Sequence, residues 1–166
     1  MKLSACHHYG VDIDQLYPWF RQPELIRCKY EALGSRQIAI SRAQESDDGF
    51  HLELSRDIPA EVPALLKSLL GSYNRVEQQE HWYSLEDGSL GCDLTLAIQG
   101  VPVTLSGQLR LIDEASGCRN EIELSVSSGL PLLGAALVKF VAGDCQRAMD
   151  AEYGYLQQQL KGASGG

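Results

Sequence analysis

The stretch GLPLLGAALVKFVAGDCQRAMDAEYGYLQQQL, residues 129–160, is the longest continuous helical pattern in the chain. Pro131 suits a first helical turn, where a backbone N–H has no intrahelical partner anyway. With Val141 at the centre of a helical wheel, Leu137, Val138, Cys145, Ala148, Met149, Tyr155 and Leu156 fall on one side. Lys139, Gln146, Arg147, Asp150 and Gln157 fall on the other. The spacing predicts an amphipathic helix of roughly 30 residues, about 45 Å long. Glu152 interrupts the apolar side near its centre. An unpaired buried carboxylate is costly, so its side chain is expected to reach solvent near the helix end; a paired or ligand-facing acid is the alternative.

A helix this one-sided needs an apolar surface to cover, and the residues before it supply one. Residues 2–9 read as a strand. Asp12 with Gln15 reads as a capping box for a short helix presenting Ile13, Leu16, Tyr17 and Phe20, with Pro18 limiting its length. Pro23 opens a second helix with Leu25, Cys28, Lys29 and Ala32 at helical spacing, and Gly34 is placed to end it.

From there the period is two. Ile38 and Ile40 alternate with polar or small residues, Asp48-Gly49 marks a hairpin, and Phe50, Leu52 and Leu54 follow. Val76 and Trp82 frame the next strand. After Asp87-Gly88 come Cys92, Leu94, Leu96 and Ile98, then Val103, Leu105, Leu109 and Leu111, then Ile122, Leu124 and Val126. The intervening positions are polar, as in an antiparallel sheet with one wet and one dry face. The predicted class is α+β: a curved seven-stranded antiparallel sheet wrapped around a long C-terminal helix, with two short helices after the first strand. Residues 1–160 form one domain, and residues 161–166 read as a flexible tail.

Composition narrows the function classes. The 166 residues carry 14 basic and 22 acidic side chains, a net charge of −8. That balance argues against non-specific binding to nucleic acid or anionic membranes. No apolar run is long enough to span a bilayer, so no integral membrane insertion is expected. Five cysteines without regular spacing suggest free thiols in a reducing, cytoplasmic setting.

The order of elements resembles the helix-grip fold of the START-like superfamily, also called SRPBCC, and more narrowly a bacterial family of unknown function within it. The resemblance rests on HHYGVDIDQLYPWF (7–20), YEALG (30–34), SRDIPAEVPALLKSLLG (55–71), QQEHWY (78–83), GVPVTLSGQLRL (100–111) and GLPLLG (129–134). It runs from about residue 3 to residue 158. It implies a cavity for a hydrophobic ligand between sheet and helix, and brings no residue set that maps to a cyclase or dehydratase.

The residues themselves hold little overt chemistry. On a strand His7 and His8 point to opposite faces, His51 and His81 are far apart in sequence, and no CxxC or HExxH spacing occurs, so neither a metal nor any other cofactor is expected. Cys145 lies on the inner helix face without a basic partner and reads as a small apolar residue. Arg56 continues the alternation of Phe50, Leu52 and Leu54, while Gln78 and Glu80 continue that of Val76 and Trp82. If the two strands are neighbours, Arg56 and Glu80 meet in an apolar interior, either as a buried ion pair fixing register or as the polar end of a cavity. Residues 58–71 read as a short helix from Pro63 to Gly71, serving either as a flap over the hollow or as part of the core.

The leading functional expectation is binding or transfer of a hydrophobic or amphipathic small molecule such as a lipid, isoprenoid or polyketide-like compound. Its candidate site comprises Arg56, Glu80, Trp82, Leu94, Leu96, Leu105, Leu109, Leu124, Leu137, Val141, Cys145 and Met149, with no catalytic residue assigned. A cyclase- or hydrolase-type enzyme using Arg56, Glu80 or Glu152, and an interaction module without a ligand, are the rivals. Fold alone does not choose among them.

Overall fold

The computed structural model describes residues 1–164. Strand β1 (Lys2–Tyr9) is followed by three short helices, α1 (Ile13–Leu16), α2 (Pro18–Arg21) and α3 (Pro23–Ala32). Six strands follow: β2 (Arg36–Ser46), β3 (Gly49–Pro59), β4 (Tyr73–Ser84), β5 (Leu90–Ile98), β6 (Thr104–Glu114) and β7 (Gly117–Ser127). The chain closes with α4 (Gly134–Ser164). The strands form one open antiparallel sheet in the order β1-β7-β6-β5-β4-β3-β2, so chain order is kept except for β1, which pairs with β7. This is the α+β helix-grip arrangement expected.

The alternation of apolar side chains decides which sheet face is dry. Phe50, Leu52 and Leu54 on β3, Trp82 on β4, Cys92 and Leu94 on β5, Leu105, Leu109 and Leu111 on β6, and Ile122, Leu124 and Val126 on β7 are all buried. Helix α4 packs on this face through Leu137, Val141, Ala142, Met149, Leu156 and Leu160. Two clusters result. The larger is aromatic-rich and includes the α1–α3 residues Leu16, Phe20, Ile26 and Tyr30. The smaller is aliphatic and gathers Leu66, Leu70, Val103, Leu105, Val126, Leu137 and Val141.

Several local expectations are corrected. Asp12 does cap α1, its Oδ1 accepting from Gln15 N–H at 3.1 Å. The single helix expected there is two, because Pro18 opens a helix of its own instead of merely limiting the first. On α3 the buried residues are Ile26, Lys29 and Tyr30; of the expected set Leu25, Cys28, Lys29 and Ala32, only Lys29 is among them. Helix α4 starts after Pro131: Leu132 is fully exposed with φ of 66°, a left-handed residue that separates the proline turn from the helix. The helix also continues through Ser164, beyond the boundary assigned to the tail, while residues 165 and 166 lie outside the described residues. Of residues 58–71, the first two end β3, and the only helix in the rest is a 3-10 turn, Ala64–Leu66, anchored by buried Leu66 and Leu70.

The β2 edge is irregular. Its pairing with β3 breaks between Arg36 and Ala39 and again between Ile40 and Arg42, and Gln37 has φ of 55°. Arg75 Nη1 donates to Gln37 O at 2.7 Å and Arg27 Nη1 to Ile38 O at 2.8 Å.

Candidate functional site: a cavity with one polar end

Between the sheet and α4 lies a cavity of about 250 Å³. Its wall is mostly apolar and draws on both core clusters. Leu94, Leu96, Leu105, Leu109 and Leu124 contribute from the sheet, and Val141, Cys145 and Met149 from α4. Each sheet residue comes from the dry parity of its strand, so the ladder that fixes register also fixes which side chains reach the cavity. Arg56 and Glu80 line it as well. Trp82 and Leu137 do not. Trp82 stands behind the wall, 5.2 Å from the Tyr17 ring and 5.4 Å from the Phe20 ring, and Leu137 is wholly enclosed in the aliphatic cluster.

Arg56 and Glu80 do not meet. In the β3–β4 ladder Arg56 faces Val76 and Glu80 faces Leu52, so Gln78 lies between them on the same face. Gln78 relays the contact. Its Oε1 accepts from Arg56 Nη2 at 3.1 Å, and its Nε2 donates to the Tyr30 hydroxyl at 3.0 Å and to Glu80 Oε2. The other Glu80 oxygen accepts from Trp82 Nε1 at 2.8 Å. Arg56 Nη1 donates to Ser35 Oγ at 3.1 Å, and its guanidinium lies 3.8 Å from the Tyr30 ring centre. Tyr30 therefore supplies both a stacking face and a hydroxyl partner.

Glu152 does not escape to solvent. Its carboxylate pairs at 2.6 Å with Lys29, a side chain buried between the Phe20 and Tyr30 rings. Burial alone pulls the Lys29 ammonium down, but Glu152, with Tyr30 and Glu80, more than offsets this and leaves its pKa above the ordinary lysine value. Burial raises the Glu80 carboxyl, against the opposing pull of Lys29, Trp82 and Gln78. Burial also pushes the Cys145 thiol up to about 11, which keeps it protonated and unreactive.

Two cavity-lining residues each hold a buried polar atom with no hydrogen-bond partner among the described residues, Arg56 Nε and Asn120 Oδ1. Asn120 is 3 % exposed on the dry face of β7, between Cys118 and Ile122. Its position was visible as a polar break in that alternation. Lys29 was visible too, at helical spacing from Leu25, but its partner on α4 was not, because only the tertiary fold brings them together.

The histidines fall into three settings. His7 is buried and stacked at 4.1 Å on Tyr153, while His8 faces outward, with Glu114 3.1 Å from its Nδ1. His51 and His81, distant in sequence, are direct partners across β3 and β4 on the wet face, their rings stacked at 4.4 Å.

The fold is shared with solved proteins of low sequence identity. A protein of Thermus thermophilus superposes with a TM-score of 0.69 at 15% identity, covering 99% of both chains. A STAR-related lipid transfer protein from Xanthomonas axonopodis gives 0.62 at 15%, covering 94% of this chain and 85% of that one. A Mycobacterium smegmatis protein gives 0.62 at 6%, over 98% and 92%. No curated protein matches by sequence. Among the described residues no helix is long and apolar enough to cross a membrane. The family model described as "Protein of unknown function (DUF2505)" matches residues 4–160, and a chain matched over that span and folded as START-like domains are is a member of the DUF2505 family.

Proposed function

We propose that the protein binds or carries a hydrophobic or amphipathic small molecule, such as a lipid, isoprenoid or polyketide-like compound, in the cavity between the sheet and α4. The observation that carries this reading is the cavity itself: an apolar hollow lined also by Arg56 and Asn120, each with a buried polar atom that has no partner among the described residues. Such atoms are costly in an empty site and are satisfied by a ligand's polar group. The name of the Xanthomonas relative, a lipid transfer protein, agrees with the class.

The polar end sets the head group. Lys29 and Arg56 are matched in charge by Glu80 and Glu152, so an incoming carboxylate would be buried without a counter-charge. An uncharged hydroxyl or carbonyl suits Arg56 Nε and Asn120 better. Acid–base catalysis by Glu80 is the weaker reading, because both its oxygens are already taken by the Gln78 and Trp82 donors.

Ligand titration followed by Trp82 fluorescence, in a Trp19→Phe background, tests the reading. Trp82 touches Phe20, a cavity-wall residue, so filling the cavity should alter its emission. Burial of an apolar tail at about 25 cal/mol per Å² supports micromolar affinity after association costs. A long-chain alcohol is expected to saturate the signal at lower concentration than the matching acid, and Leu105→Trp is expected to fill the hollow and weaken both. No saturable response across alcohols, isoprenoids, flavonoids and fatty acids would end the binding reading in favour of a ligand-free interaction module.

A further inference from the structure

On the wet face of the sheet, remote from the cavity wall, three metal-ligating side chains converge. The β2–β3 turn carries Asp48, and His51 and His81 are cross-strand partners on β3 and β4. One ligand atom from each lies within 4.8 Å of the others. Asp48 Oδ1 accepts from His51 Nε2 at 2.9 Å, and His81 Nε2 donates to Asp48 O at 2.8 Å while lying 3.7 Å from Asp48 Oδ2. Both imidazoles thus aim the same ring nitrogen at the same aspartate.

We propose that Asp48, His51 and His81 form a binding site for a divalent transition-metal ion, with zinc the best match to two imidazoles and one carboxylate. Ligands of a tetrahedral zinc sit about 2 Å from the ion and so a little over 3 Å apart, and the Asp48–histidine separations bracket that spacing. Zinc would replace the proton on each Nε2, with Nδ1 carrying it instead, and water would complete the coordination.

The surroundings hold the ligands in place. Ser46 Oγ donates to Asp48 Oδ1 at 2.7 Å, orienting the carboxylate. The β3–β4 ladder fixes the two histidine backbones opposite one another, and their rings, now stacked with planes 6° apart, would turn so that each ring plane contains the ion. Gly49, with φ of 127°, brings the turn down onto β4; a Cβ there would lie 3.3 Å from His81 Nε2 and overlap the Trp82 carbonyl. The sequence concealed the set because its members are joined by strand register, not by spacing. Bound there, an ion would clip the β2–β3 turn to β4, acting on stability without touching the cavity.

Zinc chloride titrated calorimetrically into tag-free, chelator-treated protein tests this. One equivalent is expected to bind with a low-micromolar or tighter dissociation constant, and to raise the melting temperature. His51→Gln or His81→Gln should weaken binding at least about tenfold and Asp48→Asn less, with melting temperatures in chelator unchanged. His8→Gln with Cys6→Ser should leave binding intact; these two form another exposed ligand pair, 3.6 Å apart. Absence of sub-millimolar zinc binding overturns the proposal, as does stoichiometric binding that survives loss of both His51 and His81.

Discussion

Around Leu137 and Val141, helix α4 shares a cluster with Leu66, Leu70, Val103, Leu105 and Val126, all aliphatic. About three turns further on, around Glu152, the surroundings are charged and aromatic: Lys29, Phe20, Tyr30 and the nearby His7. One helix thus closes one cavity by two means. The aliphatic end is held by shape and by exclusion of water, and any apolar group of similar volume suits it. The other end is held by named partners, where losing one member strands another. On the proposed binding reading, a ligand's tail would meet the first kind of wall and its polar group the second.

The largest effect should come from putting a charge where only volume matters. Val141→Asp buries an unpaired carboxylate in the aliphatic cluster and should lower unfolding free energy by about 4 kcal/mol in denaturant titration. A variant as stable as wild type would mean that this end of α4 does not pack on the sheet. Next comes removal of a partner. Lys29→Ala takes the cation from Glu152 and should cost about 2–3 kcal/mol, below a fully buried pair because Glu152 is 27% exposed. Lys29→Met keeps the apolar stem against Phe20 and should lose clearly less. Equal losses would show that the lost charge, not the packed stem, dominates at this end.

The smallest effect is a pH dependence confined to the partnered end. Burial lowers the His7 pKa from 6.5, partly countered by Glu152 and Asp150. The unfolded chain then takes up this proton at a higher pH than the folded one, so the contribution is full above 6.5 and is lost as pH falls through the folded value. Glu80, whose pKa is raised by burial, acts with the opposite sign, weakening stability as pH rises through its titration range. The quantity to read is the difference between wild type and His7→Phe, which keeps the stack on Tyr153. Melting temperatures of the two should diverge on going from about pH 7 to about pH 5, with wild type falling more. Parallel curves would remove His7 from the account.

The same contrast explains what was legible in the sequence. The aliphatic end and the dry sheet face follow from periodicity, since Leu105, Leu124, Val126 and Val141 announce themselves by spacing alone. Polar residues on the same parity, Arg56, Gln78 and Glu80, could be placed on the correct face but not paired, because a residue's neighbour across a ladder depends on register. Lys29–Glu152 joins two helices distant in sequence, and the expectation that Glu152 would reach solvent rested on the cost of an unpaired charge whose partner no local pattern disclosed. His51 and His81 were hidden in the same way. Asn120 was missed, although it shares the parity of Ile122, Leu124 and Val126 and is the polar residue among them.

The uneven β2 edge has a consequence for life at high concentration. An open sheet offers its outermost strands as templates for another chain. Over residues 36–42 that template is spoiled, since the strand loses register twice and Gln37 turns left-handed. The carbonyls of Gln37 and Ile38 are already occupied by Arg75 and Arg27. An incoming strand would find no regular ladder over these residues, so this border of the sheet resists edge-to-edge aggregation.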